Sequence, residues 1–324
     1  MILFGDFLMK LEKRIEKCKG KALRDFNPLL AYFHHVFHPA AVFTNFKTFA
    51  IIIKEFFLLQ FLEKFGIYKI PVVHVDHPLD KKVPFVPEKV TIYLDYINLW
   101  VRPLEMIAER LGFMQYGRAC KKWMRMFRGL YLKAGEIYHF RLTTTDRPDY
   151  DEMREFRQIH ALDPHFLCVP SLHIATVSLV YAFYRQLFID EGFTQEEIDR
   201  WRPELYKGAI DIADSVLYVK QHSVNCIPAA LYLVAVNYPE YFSEDDARKF
   251  LDDMFRNQKY FSEEDADEVR DFMKKTFEDY LERGKRLPKE NWSDPVKDFL
   301  SEYEKKQKQI LKYYRRKNAP ADRG

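Results

Sequence analysis

Two long apolar segments, Ser171–Ile189 and Ser215–Tyr238, limit what this chain can fold into more than any other feature. Each carries few charges and is longer than a buried strand, so each is interpreted as a helix that belongs in a core. Only 11 glycines occur among 324 residues, whereas a protein built on sheets uses glycine in many of its turns. The sequence therefore predicts an all-α protein, with the two segments inside a helical bundle.

Composition divides the chain into four predicted regions. A proline-rich stretch with β-branched residues interrupts the helical patterning early in the chain, and charged residues dominate after Pro239. The predicted regions are a helical N-terminal region over 1–66, an extended connector over 67–92, a helical core of catalytic type over 93–240 and a charged helical extension over 241–324.

Serine and threonine mark several predicted helix starts. Thr194 opens a capping-box pattern, in which its hydroxyl and a following glutamate satisfy free backbone N–H groups. The sequence YFSEDDA recurs as YFSEEDA nineteen residues later, and each copy contains a predicted N-cap, Ser243 or Ser262, followed by acids in the first turn. This repeat predicts a helical hairpin in the C-terminal extension rather than a solenoid.

Charge and cysteine usage limit the partners and the location. The 51 basic and 48 acidic residues nearly cancel to a net charge of +3, so no nucleic-acid partner is expected. Four cysteines without metal-type or small-scaffold spacing favour a reducing compartment. No secretion leader is recognised, and the best candidate span, Ala41–Leu62, contains three charges that cost about 2.5–3.5 kcal/mol each in a bilayer. The expected location is cytoplasmic, with peripheral membrane contact through the basic stretch Lys305–Lys317 as an option.

Each apolar segment carries a histidine in a polar motif. Pro-Ser-Leu-His ends at His173, while Ser215 and His222 lie seven residues apart and would share one helix face, with Lys220 between them. Ser171 can cap the helix that carries His173, and a helix N-terminus with a serine hydroxyl and a nearby lysine, here Lys220, is suited to an anion. Ser215, the other polar member of the second motif, is a further phosphate-binding candidate. Two histidines beside such an anion suit phosphoryl transfer, in which one attacks phosphorus and the other protonates the leaving oxygen.

These motifs resemble those of the type 2 phosphatidic acid phosphatase superfamily, which includes bacterial acid phosphatases and vanadium haloperoxidases. Pro-Ser-Leu-His together with Lys-Gln-His at 220–222 is similar to the branch of inositol phosphotransferases that act on ceramide. The resemblance covers about Arg141–Pro239 and implies a helical bundle with a nucleophilic His222 and a general-acid His173. It also implies that Ser171 and basic side chains hold the phosphate oxygens, and that no metal or other cofactor is required, with vanadate able to mimic the phosphate.

The chain departs from the family's first and third motifs, Lys-x6-Arg-Pro and Ser-Arg-x5-His-x3-Asp. Arg147 precedes a proline and matches the arginine of the first motif, but the lysine position falls on Phe140. Arg141, one residue later, and Arg147 are therefore the expected phosphate clamps. In the third motif Val216 replaces the arginine, and Lys220 is expected to supply the missing charge.

The last position of the third motif departs most. The family aspartate that orients the nucleophilic imidazole falls on Cys226, and a neutral thiol is a weak acceptor. Asn225, one residue earlier, offers an amide oxygen without charge, so Asn225 and Cys226 are the candidate orienters of His222. Asp211 and Asp214 are acids near enough in the sequence to substitute.

Two further groups of histidines have metal-like spacing. One is His34 with His38, and the other is His74 with Asp76 and His77. Neither is accompanied by the glutamate-flanked signature of a zinc enzyme. Exposed or capping histidines are the favoured interpretation, so no metal ligand is predicted.

The predicted function is metal-independent phosphoester hydrolysis or phosphoryl transfer through a phosphohistidine at His222. The expected substrate is a phosphorylated lipid or another small phosphoester. The alternative is a catalytically weakened protein of the same fold that binds a phosphorylated headgroup, which Cys226 favours. A haloperoxidase with vanadate bound to His222 is a third, weaker hypothesis.

Overall fold

The computed structural model describes residues 11–256 and 258–317, with side chains to residue 306. Most of these residues are helical, and β-structure among them amounts to two short strands, which confirms the all-α class. In chain order the α-helices are α1 (11–18), α2 (Pro28–Phe37), α3 (Val42–Ile52), α4 (Leu59–Lys64), α5 (Val90–Leu94), α6 (Tyr96–Leu111), α7 (Phe113–Tyr138), α8 (Arg154–Leu162), α9 (Leu172–Asp190), α10 (Gln195–Tyr218), α11 (Cys226–Asn237), α12 (Glu244–Asp253), α13 (Glu263–Gly284) and α14 (Asp294–Lys317).

Helices α9 and α11 form the centre of the bundle. Helix α9 packs against α6, α7, α10 and α11, and α11 also packs against α13. Most residues of both central helices are buried, as their apolar composition predicts. Helix α9 is the one described helix that is long and apolar enough by itself to cross a membrane, but it lies mostly inside the protein.

The second apolar segment is not the single helix that the sequence predicts. Helix α10 ends at Tyr218 and α11 begins at Cys226, so His222 lies in the loop between them. Lys220 in this loop has a φ of 54°, a left-handed conformation that cannot continue a helix. The prediction that Ser215 and His222 share one helix face is therefore wrong.

The region 67–92 contains strand β1 (Val72–His74), which pairs in parallel with β2 (Leu142–Thr144). Thr143 in β2 also forms a parallel bridge with Leu167, a few residues before α9. The hydroxyl of Thr143 accepts the backbone N–H of Val169 at 2.7 Å. These strands fix the backbone that leads into the Pro-Ser-Leu-His motif, although the strands and this motif lie far apart in the sequence.

The N-terminal helices lie against the bundle, with α2 on α6 and α3 on α7. Helices α3 and α4 are joined by a π turn, Ile53–Leu58, into one continuous rod. The axis of this rod makes a bend of 101° with α2. The two arms are long and apolar enough to cross a membrane only if they are taken together as one span. Several large apolar side chains of the pair, such as Phe43 and Phe46, are exposed.

The predicted caps are present in the structure. The Thr194 side chain forms a capping box at the start of α10. Ser243 and Ser262 cap α12 and α13 by accepting backbone N–H groups at 3.1 Å, and these two helices pack together. The repeat is confirmed as a helical hairpin. In the basic stretch 305–317 the backbone is helical, while its side chains after residue 306 lie outside the described part.

Candidate functional site

Two backbone segments bring the histidine motifs together. His173 lies in the first turn of α9, for which Ser171 is the N-cap. The backbone N–H of Ser171 donates to the carbonyl of Cys226 at 3.3 Å, which ties the α9 start to the α10–α11 loop. The imidazole centroids of His173 and His222 lie 5.7 Å apart with an interplanar angle of 65°. The two rings are therefore direct neighbours, although 49 residues separate them in the sequence.

The loop that carries His222 is held by the connector region. The carboxylate of Asp80 accepts the backbone N–H of Val224 at 2.8 Å. The Asn225 amide donates to the carbonyl of Val75 at 2.9 Å, and Lys220 donates to the carbonyl of Asp80 at 2.5 Å. These bonds satisfy polar groups of a buried loop, and they fix the backbone on both sides of His222.

His222 has one hydrogen-bonded ring nitrogen and one without a partner. Its Nε2 lies 3.2 Å from the hydroxyl of Ser171, a hydrogen bond whose direction depends on the ring tautomer. Its Nδ1 is buried and forms no hydrogen bond within the described residues. Burial, the neighbouring His173 and the charge of Arg147 hold the pKa of His222 well below 6.5, although the backbone of Cys168 opposes this shift. The imidazole is therefore neutral near pH 7.

His173 lies between two tyrosine rings. Its ring stacks on Tyr93 at 4.3 Å between centroids and meets Tyr96 edge-on at 4.5 Å. Burial lowers the pKa of His173 to about 4, even though the carboxylate of Asp163 acts to raise it. Like its neighbour, this ring is neutral when the site is empty.

A salt bridge between Arg147 and Asp163 lies beside the two rings. One guanidinium nitrogen of Arg147 donates to the Asp163 carboxylate at 2.7 Å, and another donates to the backbone carbonyl of Asp163 at 3.1 Å. The remaining nitrogen, Nε, is buried and has no partner among the described residues. Arg147 therefore supplies a positive charge close enough to lower the pKa of His222, but Asp163 engages two of its three nitrogens.

A third histidine, His165, completes the polar part of the site. Its Nε2 lies 2.7 Å from the hydroxyl of Thr145, and its backbone N–H donates to the Asp163 carboxylate at 3.0 Å. Its φ of 68° is unusual for a residue other than glycine. Burial, Arg147 and His222 lower the pKa of His165 well below 6.5. Three neutral imidazoles thus lie around one carboxylate and one guanidinium.

The three histidines and Asp163 lie at the inner end of an aromatic cavity of about 370 Å³. His165, His173, His222 and Asp163 line it together with apolar side chains from α2, α3, the π turn, α6 and α7. Its inner lining is buried, whereas the lining residues Tyr32 and Val36 on α2 and Phe49 on α3 are exposed. The cavity is therefore an apolar channel that ends at the polar cluster.

Three of the sequence-predicted phosphate ligands do not reach this cluster, and those predictions are corrected. The Lys220 ammonium donates to the carbonyls of Asp80 and Val83, because the left-handed turn directs it toward the connector. Arg141 pairs with Glu304 of α14 at 3.2 Å. The Ser215 hydroxyl donates within α10 to the Ile212 carbonyl at 2.7 Å. Four of the predicted site residues do lie close together in the structure, namely His173, His222, Ser171 and Arg147.

The candidate orienters of His222 are also engaged elsewhere. The Asn225 amide nitrogen bonds to the connector, and the Cys226 thiol accepts the backbone N–H of Ser223 at 3.4 Å. Of the two nearby acids, Asp214 accepts the backbone N–H of Phe255 and Asp211 pairs with a lysine on the same helix. In the described part of the chain, none of these four side chains hydrogen-bonds to His222.

The other histidine groups have structural partners. His34 pairs with Glu105 at 3.1 Å, and Nε2 of His38 lies 2.9 Å from a backbone carbonyl at the start of α7. His77 caps a short turn and stacks on a phenylalanine ring. Among the described residues, His74, Asp76 and Asp146 form a largely exposed cluster. Their potential metal-ligand atoms lie within 4.8 Å of one another.

Sequence reasoning missed Asp163, His165, Tyr93 and Tyr96. A signal for the first two was present, because the polar sequence Asp-Pro-His interrupts apolar text only a few residues before Pro-Ser-Leu-His. Tyr93 and Tyr96 had no such signal, since they belong to α5 and α6 and reach His173 only through helix packing.

Comparison with known proteins adds no relative. No family model, curated protein or solved structure matches this chain. The functional interpretation therefore depends on the motifs and on the geometry of the site.

Proposed function

We propose that this protein catalyses metal-independent hydrolysis or transfer of a phosphoryl group through a phosphohistidine at His222. The observation that carries the proposal is the contact between two neutral imidazoles, the buried His222 and the half-buried His173, whose centroids lie 5.7 Å apart in the lining of a cavity. A neutral imidazole keeps a lone pair for attack, whereas a protonated one does not. This arrangement matches the pairing of a nucleophile and an acid that phosphoryl transfer requires.

In the proposed reaction a ring nitrogen of His222 attacks phosphorus, and the bond from phosphorus to the ester oxygen breaks. His173 donates a proton to that oxygen, so the leaving group departs as an alcohol. Water, or another alcohol in a transfer reaction, then attacks phosphorus. The phosphorus–nitrogen bond breaks, and His173 takes up the proton that the attacking oxygen loses.

The groups around the two rings suit a phosphate. Backbone N–H groups in the first turn of a helix lack partners within the helix and favour an anion, and α9 begins at Ser171, beside His222. The free Nε of Arg147 offers a charged donor nearby. Because His173 has a pKa of about 4 in the empty site, it acts as an acid only after the charge of a bound phosphate raises that pKa.

The cavity favours a substrate with a large apolar part. Aromatic side chains such as Phe56 and Tyr131 line it between its opening and the histidines. A phosphoester attached to an acyl or isoprenoid chain could place its headgroup at His222 and its chain among these rings. We therefore propose a phosphorylated lipid as the substrate class.

A second candidate function is binding of a phosphorylated headgroup without turnover. It is favoured by the lack of a carboxylate bonded to Nδ1 of His222 among the described residues, because enzymes that use a histidine in catalysis commonly fix its ring through that nitrogen with an acid. The engagement of Arg147 by Asp163 also favours it.

Release of phosphate from an aryl phosphate in the presence of a chelator tests the proposal. The His222→Ala and His173→Ala variants are expected to lose activity by about a thousandfold or more. The matched control is His35→Gln, because His35 lines the same cavity but contacts Cys120 and Trp100 rather than the pair. Unchanged turnover in His222→Ala would contradict the proposal, as would a wild-type protein that binds phosphate but releases none from any phosphoester.

A further inference from the structure

The N-terminal helices expose an unusual number of large apolar side chains. Side chains on α2, α3 and the π turn form a surface that we call the N-terminal apolar surface, and its most exposed members are Leu29, Phe33, Val36, Phe37, Phe43 and Phe46. Phe43 is 79% exposed and Phe46 is 74% exposed. Exposure of this many large apolar side chains on neighbouring helices of a folded protein marks an interaction site.

Polar side chains of the same helices point inward. His35, Asn45, Thr48 and Glu55 are buried against the bundle. The Asn45 amide donates to the carbonyl of His35, and the Thr48 hydroxyl lies 2.9 Å from the carbonyl of Met124 on α7. A helix that faces water has the opposite pattern, whereas burial of polar groups against protein is the pattern of a helix that faces lipid.

Charge on this surface favours a negatively charged partner. Four lysines in or next to these helices are exposed, namely Lys47, Lys54, Lys64 and Lys69. No acidic residue between residues 28 and 70 is exposed. The two acids of this stretch are Glu55, which is buried, and Glu63, which is half-buried. Lysines around an apolar face are typical of a segment that lies in the interface of an anionic bilayer.

The surface is continuous with the opening of the cavity. Tyr32 and Val36 on α2, Phe49 on α3 and Phe57 in the π turn are exposed and also line the cavity. A partner that covers the N-terminal apolar surface therefore reaches the entrance of the channel that ends at His222.

We propose that the N-terminal apolar surface inserts into one leaflet of an anionic lipid bilayer, so that the cavity opens toward the acyl chains. Helix α2 has 10 residues and is too short to cross a bilayer core of about 30 Å. Because α2 and the rod of α3 and α4 meet at a bend of 101°, they do not form one straight span, and both arms can lie along the interface. Docking to the bilayer goes beyond the proposed function. The entry of an acyl chain into the cavity rests on the proposed function.

Co-sedimentation with vesicles tests the docking. The vesicles contain phosphatidylcholine and phosphatidylglycerol in equal parts, or phosphatidylcholine alone. The full chain is expected to bind the mixed vesicles more strongly, and salt is expected to weaken that binding. Phe43 and Phe46 lie outside the cavity lining. Phe43→Asp and Phe46→Asp are each expected to reduce the partition coefficient of the protein onto the mixed vesicles by roughly tenfold. The matched control is Ile189→Asp at the end of α9, which is 61% exposed and outside the surface and is expected to change little.

Turnover of a soluble aryl phosphate separates docking from catalysis, since Phe43→Asp is expected to leave it unchanged. Loss of vesicle binding with unchanged turnover supports the docking proposal. Vesicle binding by Phe43→Asp and Phe46→Asp equal to that of the wild type would overturn it. So would a wild-type protein that stays in the supernatant, or one that buries this surface in a stable dimer that Phe43→Asp dissociates.

Discussion

At the scale of single residues, burial decides the chemistry of the two imidazoles. His173 and His222 both have a pKa below the ordinary value of 6.5 because desolvation in the protein interior disfavours the charged ring. Neutrality suits His222 as a nucleophile, but it leaves His173 without the proton that an acid must donate. A bound anion resolves this difference, because a negative charge beside the ring favours the protonated form.

Binding of an anion is therefore expected to be accompanied by proton uptake. At about pH 6, His173 is neutral in the empty site, since its pKa is about 4, and becomes protonated when the anion raises that value. Sulfate is a suitable probe because it does not titrate in this range. Calorimetry in two buffers of different ionisation enthalpy measures the uptake, and His173→Gln should reduce it. Identical binding enthalpies in both buffers would contradict this account.

The residues that could be predicted from the sequence are those that a motif places close together. Ser171 and His173 share one helix turn, and His222 follows in a second motif. The resemblance of these motifs to those of a known superfamily identified all three residues. Tyr93 could not be predicted in the same way, since only helix packing brings it to His173. Asp163 belongs to none of the family motifs, although the polar sequence Asp-Pro-His was a signal for it. Lys220 was predicted wrongly because its left-handed backbone turns its ammonium toward the connector.

At the scale of elements, the start of α9 combines a structural and a chemical role. The Ser171 hydroxyl accepts the backbone N–H of Ile174 at 3.5 Å and also contacts His222. Ser262 caps α13 in a comparable way, at 3.1 Å, but lies in the charged extension. The two serines therefore form a matched pair in which only one touches the site.

Replacement of these serines by alanine separates the two roles. Ser171→Ala and Ser262→Ala are each expected to lower the free energy of unfolding by about 1 kcal/mol, because each removes an N-cap. Only Ser171→Ala is expected to reduce phosphate release, by about tenfold or more, since it also removes the partner of His222. Denaturant unfolding and turnover measure the two effects. Equal turnover in both variants would assign Ser171 a capping role alone.

Helix boundaries near the site show where local patterns are insufficient. The first apolar segment was predicted correctly as α9, because its N-cap and composition agree. The second was predicted as one helix, although it breaks before His222. The partners that stabilise this break, such as Asp80 and Val75, lie more than 140 residues earlier, at positions that no local pattern connects to the loop.

At the scale of the whole molecule, one apolar channel joins an exposed surface to a buried polar cluster. The charges in the stretch 41–62 argued against a membrane span in the sequence, and the structure shows how one of them is accommodated. Glu55 is buried and lies 2.9 Å from Lys54 and 2.8 Å from His139 on the neighbouring helix end. The all-α class could be predicted from composition, but the inverted polarity of α2 and α3 required the packing to be known.

The proposed reaction requires that His173 and His222 enclose a site for a tetrahedral phosphate-like anion. A crystal structure of the protein soaked with vanadate in the presence of a chelator shows whether they do. We expect one vanadate between the two rings, with vanadium bonded to a ring nitrogen of His222 and an oxygen within hydrogen-bonding distance of His173. Vanadate bound to surface lysines would show that the anion had entered the crystal. A cavity without vanadate in such a crystal would contradict a phosphate site between the two rings.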